Sequence, residues 1–66
     1  MAKTRETTYK DKVITLTAAR QGPHYVGTYQ IHAEPVITGS GADAADEDVA
    51  LDNAESAAKQ QIDLLR

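Results

Sequence analysis

Hydrophobic and polar residues change their period along this chain. Over residues 8–38 they alternate, which is typical of β-strands, and over residues 49–65 apolar residues recur every three to four positions, which is typical of a helix. The flexible triplet at residues 39–41 separates the two patterns. The sequence therefore predicts an α+β fold in which an antiparallel β-hairpin, or a three-stranded sheet, packs against one C-terminal α-helix.

The alternating part predicts two main strands. The first covers residues 8–19 and the second covers residues 25–33. The intervening residues 20–24 include glycine and proline, which favour a hairpin turn of four or five residues. Ile14 and Leu16 share one face of the first strand, and we expect them to form part of the core.

Glycine and proline indicate where strand pairing changes within this predicted sheet. Gly27 lies in the second strand on the face that Ile31 shares, and it indicates either a β-bulge or a place where another group packs closely. Pro35 donates no backbone hydrogen bond, so strand pairing is interrupted there. Residues 36–38 are predicted to resume as a short third strand at an edge, and residues 39–42 to form a linker.

One helix is predicted over residues 47–65. Its first residue lies between Asp43 and Asp48, because several aspartates in that stretch can cap a helix. Alanines in the middle of its apolar stripe let the helix axis approach the sheet closely. The stripe consists of Leu51, Ala54, Ala58, Ile62 and Leu65.

Composition limits the size of the core. The chain has 66 residues, eleven of them alanine, and it contains neither Phe nor Trp. We expect one small domain over residues 8–66, preceded by a flexible N-terminus over residues 1–7. Because so little large aliphatic surface is available, self-association would add useful stability.

Cysteine content and hydropathy indicate the compartment. The chain has no cysteine, which excludes disulfides and cysteine-based zinc sites. It shows neither a signal-peptide pattern nor an apolar stretch of about 18 residues. We therefore expect a cytoplasmic protein that does not enter the membrane.

Residues that could support catalysis or metal binding form no recognised pattern. The acidic residues from 43 to 52 lack the alternating spacing of a calcium loop, and helix capping explains them. His24 and His32 lack the spacing of a zinc site. Ser40 lies in a flexible triplet rather than in a strained nucleophile elbow. We expect no catalytic residue, no metal site and no cofactor, and therefore no enzyme.

The distribution of charge leaves nucleic acid open as an alternative partner. Residues 1–32 carry a net charge of +3, whereas residues 33–66 carry −6. Basic strands that carry aromatic residues can track phosphates and stack bases. The whole chain is acidic, however, with a net charge of −3, which favours a protein partner. The candidate nucleic-acid contacts are Lys10, Lys12, Arg20 and Tyr25.

Three segments carry a resemblance to a known family. They are the strand of residues 25–31, which ends in Gly-Thr-Tyr-Gln-Ile, the Pro-Val-Ile-Thr-Gly stretch of residues 35–39, and the alanine-rich segment 47–62. In these features the chain resembles HicB-like antitoxins, which implies a partial double-stranded-RNA-binding-like fold and a role in neutralising a toxin. The chain is equally similar to small bacterial α+β proteins of unknown function, some of them known mainly as antigens.

The leading hypothesis is a small non-enzymatic interaction module. Its contact is either an exposed strand edge, which recruits other strands through unpaired backbone groups, or a face of the sheet. The partner is another protein, or a second copy in a weak homodimer. The alternative is an antitoxin-like or nucleic-acid-associated regulator. The candidate partner surface consists of Val13, Val26, Gln30 and His32.

Overall fold

The chain folds into a four-stranded antiparallel sheet followed by one helix, and a computed structural model describes residues 3–64. Each strand pairs with the next one along the chain, so the sheet is a meander with β1 and β4 at its edges. The predicted α+β arrangement is confirmed, with one strand more than the larger of the two predicted sheets. The elements are β1 (Lys3–Tyr9), β2 (Lys12–Gln21), β3 (His24–His32), β4 (Ile37–Ser40) and α1 (Glu47–Leu64).

The first predicted strand is divided by a turn. Lys10 and Asp11 end β1 and lead into β2, whereas the pattern predicted one strand over residues 8–19. Their φ angles are 50° and 67°, the left-handed values that a two-residue hairpin turn requires. Neither residue is glycine or asparagine, so the usual sequence signal for such a turn is missing.

Most of the N-terminal segment predicted to be flexible, residues 1–7, forms a strand instead. Residues 3–7 belong to β1, which pairs with β2 along its whole length, from Lys3 opposite Ala18 to Tyr9 opposite Lys12. Residues 1 and 2 lie outside the described residues. The domain therefore includes an edge strand that the apolar pattern did not reveal, because β1 contains no buried side chain.

The remaining boundaries shift by a few residues. The turn predicted over residues 20–24 narrows to Gly22 and Pro23. The predicted third strand is confirmed at an edge, but β4 extends through Gly39 and Ser40, which were assigned to the linker. The peptide bond between Glu34 and Pro35 is cis.

The helix begins at Glu47, as predicted. Asp46 caps it, because its Oδ1 accepts a hydrogen bond from the backbone N–H of Asp48 at 2.9 Å. Leu65, the last residue of the predicted stripe, lies outside the described residues. Within residues 3–64, no helix is long and apolar enough to cross a membrane.

The core lies entirely between one face of the sheet and α1. Gly27 of β3 marks their closest approach, because a Cβ built there would overlap the carbonyl oxygen of Ala50 and lie 3.1 Å from the Cβ of Ala54. The register of β3 against β2 runs through Gly27 without interruption, so close packing rather than a bulge explains this glycine. The buried hydrophobic residues are Ile14, Leu16, Ala18, Ile31, Ala50, Leu51, Ala54, Ala58 and Ile62.

Replacing Gly27 by alanine should force the helix away from the sheet. We expect Gly27→Ala to lower the free energy of unfolding by about 2 kcal/mol, the usual range for overpacking a tight core. Urea denaturation measures this change. The control is Gln30→Ala, an exposed position on the same strand, which should change the stability by less than about 0.5 kcal/mol. Equal stability of the two variants would contradict the close packing.

Candidate functional site

The face of the sheet opposite α1 is the candidate site, and we call it the open face. Residues directly opposite each other on neighbouring strands share a face, and Ile14, Leu16 and Ile31 face the helix. Their neighbours along each strand therefore face away from it. None of these neighbours is buried. The open face consists of Thr4, Glu6, Thr8, Val13, Thr15, Thr17, Ala19, Gln21, His24, Val26, Thr28, Gln30, His32, Thr38 and Ser40.

The residues of the open face form rows across the sheet. One row carries a hydroxyl group on every strand, and the next row combines hydroxyls with one amide and one carboxylate. Neighbouring strands lie about 4.8 Å apart, so each row spans about 14 Å. The first row is Thr4, Thr17, Thr28 and Ser40, and the second is Glu6, Thr15, Gln30 and Thr38.

The structure places all four residues of the predicted partner surface on the open face. Val13 is directly opposite His32, and Gln30 is opposite Thr15. Val26 lies at the far end, roughly 20 Å from Val13 at about 3.3 Å per residue along the strand. The four residues therefore share one face of the sheet without forming a compact cluster, and their role as a partner surface stays a prediction.

Sequence reasoning missed the threonines of this face. Thr15 and Thr17 are two positions apart on β2, and Thr17 has Thr4 opposite it on β1 and Thr28 opposite it on β3. Threonine has a high β propensity, which explains its presence in a strand without any role in binding. Alternation already places Thr15 and Thr17 on one face of a strand, and the structure adds Thr4 and Thr28 to the same face.

Hydrogen bonding is the main chemistry that the open face offers. A shallow depression of about 420 Å³ lies over it, lined by threonines of β2, β3 and β4. Thr15 Oγ1 lies 2.9 Å from His32 Nε2, and this contact is exposed to solvent. Among residues 3–64, no group of three His, Cys, Asp or Glu residues is arranged to hold a metal ion. Such a face suits a broad, flat contact.

Charged residues gather on the other side, where β1 meets α1. Cations of β1 and of the following turn contact carboxylates of α1, and we call this set the charge clamp. Arg5 bridges two of these carboxylates, while Lys59 joins Glu55 at 2.8 Å along the helix. The clamp consists of Lys3 with Asp48, Arg5 with Asp52 at 2.8 Å and Glu55 at 3.1 Å, and Lys10 with Asp63 at 2.6 Å.

These contacts shift the pKa values of the groups involved. The hydrogen bond from Lys3 lowers the pKa of Asp48, and hydrogen bonds from Lys59 and then Arg5 lower that of Glu55. The same contact with Asp48 raises the pKa of Lys3. Because the pairs are exposed to solvent, each contributes little to stability by itself, and their effect comes from acting together.

The four candidate nucleic-acid contacts do not form one surface. Lys10 belongs to the charge clamp, and Lys12 lies beside it at the start of β2. Arg20 and Tyr25 pair with each other near the opposite end of the sheet. Lys12 and Arg20 are eight positions apart along β2, which is about 26 Å. Tyr25 also packs against the core on the helix side.

Comparisons with known proteins assign this chain to no family. No family model matches the chain, and neither a curated protein nor a solved structure matches it. The resemblance to HicB-like antitoxins therefore stays a prediction.

Acidification should weaken the charge clamp. The pKa values of Asp48 and Glu55 are lower in the folded protein than their ordinary values of 3.8 and 4.5. Their contribution to stability is therefore complete above about pH 5 and is lost as the pH falls through the folded-state values. We expect the Tm to fall between about pH 6 and pH 3 in low salt, measured by calorimetry.

Removing the clamp's cations isolates this effect. The double variant Lys3→Gln, Arg5→Gln should start with a lower Tm at pH 6 and lose less on acidification, because its carboxylates have lost their partners. The matched control, Lys12→Gln with Arg20→Gln, removes the same charge outside the clamp and should keep the steeper pH dependence. Identical slopes for the two double variants would show that the clamp does not contribute.

Proposed function

We propose that this protein is a non-catalytic binding module that contacts a protein partner, either a different protein or a second copy of itself, through the open face. The observation that carries this proposal is the uneven distribution of charge over the two sides of the sheet. Among the described residues of the open face, Glu6 carries the one carboxylate and none is lysine or arginine, whereas the charge clamp lies on the helix side. Burying an uncharged surface costs far less free energy than burying charges, so the open face is the surface best suited to be covered.

The side chains of the open face are suited to a protein partner. A hydroxyl group donates one hydrogen bond, accepts others and rotates to suit its neighbour, so threonines can pair with donors or acceptors. Their methyl groups, with Val13 and Val26, add apolar contact area at both ends of the face. Main-chain and amide groups of another protein provide both kinds of hydrogen-bonding partner.

The placement of the cations supports a protein partner over nucleic acid. Binding to phosphates requires lysines and arginines that can release counterions, but Lys3, Arg5 and Lys10 already contact carboxylates of α1. The antitoxin-like or nucleic-acid-associated regulator remains the second hypothesis, with less support. Titration with a single-stranded oligonucleotide distinguishes the two, because binding that weakens steeply with salt would favour the regulator.

The exposed contact between Thr15 and His32 resembles the spacing of a nucleophile and its base. Catalysis of that kind also requires groups that orient the base and stabilise a developing charge in a site protected from water. The open face is a shallow surface rather than such a pocket. We therefore assign this contact a part in fixing the face for binding.

Site-specific photo-crosslinking tests the proposal. A photoreactive amino acid at position 17 or 30, in the middle of the open face, should give protein adducts in the cells that produce the chain. The same amino acid at position 56 or 60, on the exposed side of α1, should not.

With the adduct partner purified, Thr17→Arg should weaken binding at least about tenfold, because it buries an unpaired charge, whereas Ser56→Arg should leave it unchanged. Adducts that form equally from both sides would contradict the proposal.

A further inference from the structure

We propose that the partner of the open face is a second copy of this chain, packed sheet to sheet about a two-fold axis. This inference rests on the proposed function of the open face and adds the identity of its occupant. Three properties of the molecule support this partner: the charge of the chain, the order of residues in the rows, and the area of the open face.

Charge favours contact between two open faces. The chain has a net charge of −3, so two copies repel each other in most orientations. The carboxylates Asp48, Asp52 and Glu55 all lie on the helix side, in the charge clamp. Contact through the open faces keeps these groups on the outside of the pair and brings the least charged surfaces together.

About one particular two-fold axis, the rows of one open face are complementary to those of the second copy. A two-fold axis parallel to the strands and midway between β2 and β3 places β2 of one copy over β3 of the other, and β1 over β4. Each row then faces the same row of the second copy. Thr17 lies over the partner's Thr28, and Thr15 lies over the partner's Gln30.

The remaining contacts about this axis are also compatible. Ala19 faces the partner's Val26, and Val13 faces the partner's His32, so small or apolar groups meet near both ends. Glu6 faces the partner's Thr38, whose hydroxyl can donate a hydrogen bond to the carboxylate. The two Glu6 side chains lie at opposite edges of the interface. An axis perpendicular to the strands would instead place β1 over β1 and bring the two carboxylates close together.

The area of the face predicts that this dimer is weak. Four strands about 4.8 Å apart, each contributing about seven residues at about 3.3 Å, give roughly 450 Å² of face per copy. Two copies would bury roughly 900 Å², below the 1,200–2,000 Å² or so of stable interfaces. We therefore expect a dimer that forms and dissociates with concentration rather than a permanent one.

Charge substitutions at the two edges test both the partner and the axis. Thr38→Glu should place a second carboxylate over Glu6 of the other copy and weaken the dimer about three- to fivefold. Adding Glu6→Lys should restore the affinity, because a lysine would then face the new glutamate. Within one copy, residues 6 and 38 are about 14 Å apart across the sheet, beyond the screening length of about 8 Å at physiological salt. A rescue must therefore arise between copies.

Sedimentation velocity over a concentration series measures the affinity of each variant. Ser56→Glu is the control, because it adds the same charge on α1, away from the open face, and should shift the affinity much less than Thr38→Glu. Urea denaturation of Thr38→Glu should match the wild type, since this side chain is exposed in the monomer. The crosslinked adduct from position 17 should have twice the mass of the chain.

The outcomes separate this inference from the proposed function. A chain that stays monomeric at every concentration, but still gives adducts of a different protein from position 17, would overturn the dimer and keep the binding module. A dimer that Thr38→Glu weakens and Glu6→Lys does not restore would overturn this two-fold arrangement. Absence of adducts from the open face would overturn the inference and the proposed function together.

Discussion

The close approach of α1 to β3 is the constraint on which the rest of the structure depends. The helix contributes only two large aliphatic residues, Leu51 and Ile62, to the buried core, and alanines supply the remainder. Small side chains fill the space between two elements only when their backbones come close together. Gly27 makes this possible by leaving room for the carbonyl oxygen of Ala50. The core is therefore densely packed because the backbones of α1 and β3 lie close together, and not because its side chains are large.

A helix that covers one side of the sheet creates two surfaces of opposite character. On the covered side, polar residues at the periphery reach around the core, so cations of β1 meet carboxylates of α1. On the other side the side chains do not have to reach around a core, and threonine and valine, which are uncharged and β-branched, favour extended strands. The separation of charge from the open face follows from this one-sided packing.

Much of the fold was predictable because its signals are local. The helix start at Glu47 followed from acidic capping residues, and the buried positions from Leu51 to Ile62 followed from helical periodicity. Ile14 and Leu16 were identified from strand alternation, and the edge position of β4 followed from Pro35. Each of these features depends on residues within a few positions of one another.

The first strand and the composition of the site were not predictable in the same way. β1 is held by pairing with β2 and by carboxylates more than 40 residues away, which no local pattern reveals. One signal was available: Tyr9 and Ile14 both pack into the core, yet they are out of phase in a continuous strand. A two-residue turn between them corrects the phase, and Lys10 and Asp11 form that turn.

The absence of buried side chains from β1 has a consequence for the solubility of the chain. A strand held mainly by backbone pairing and surface ion pairs, with Tyr9 as its contact with the core, opens at a lower free energy than the rest of the sheet. When β1 detaches, β2 becomes an edge that carries Ile14 and Leu16 beside a row of free amide groups, which is a template for aggregation between chains. The ion pairs between β1 and the helix thus help to keep β2 paired on both sides and so reduce aggregation between chains.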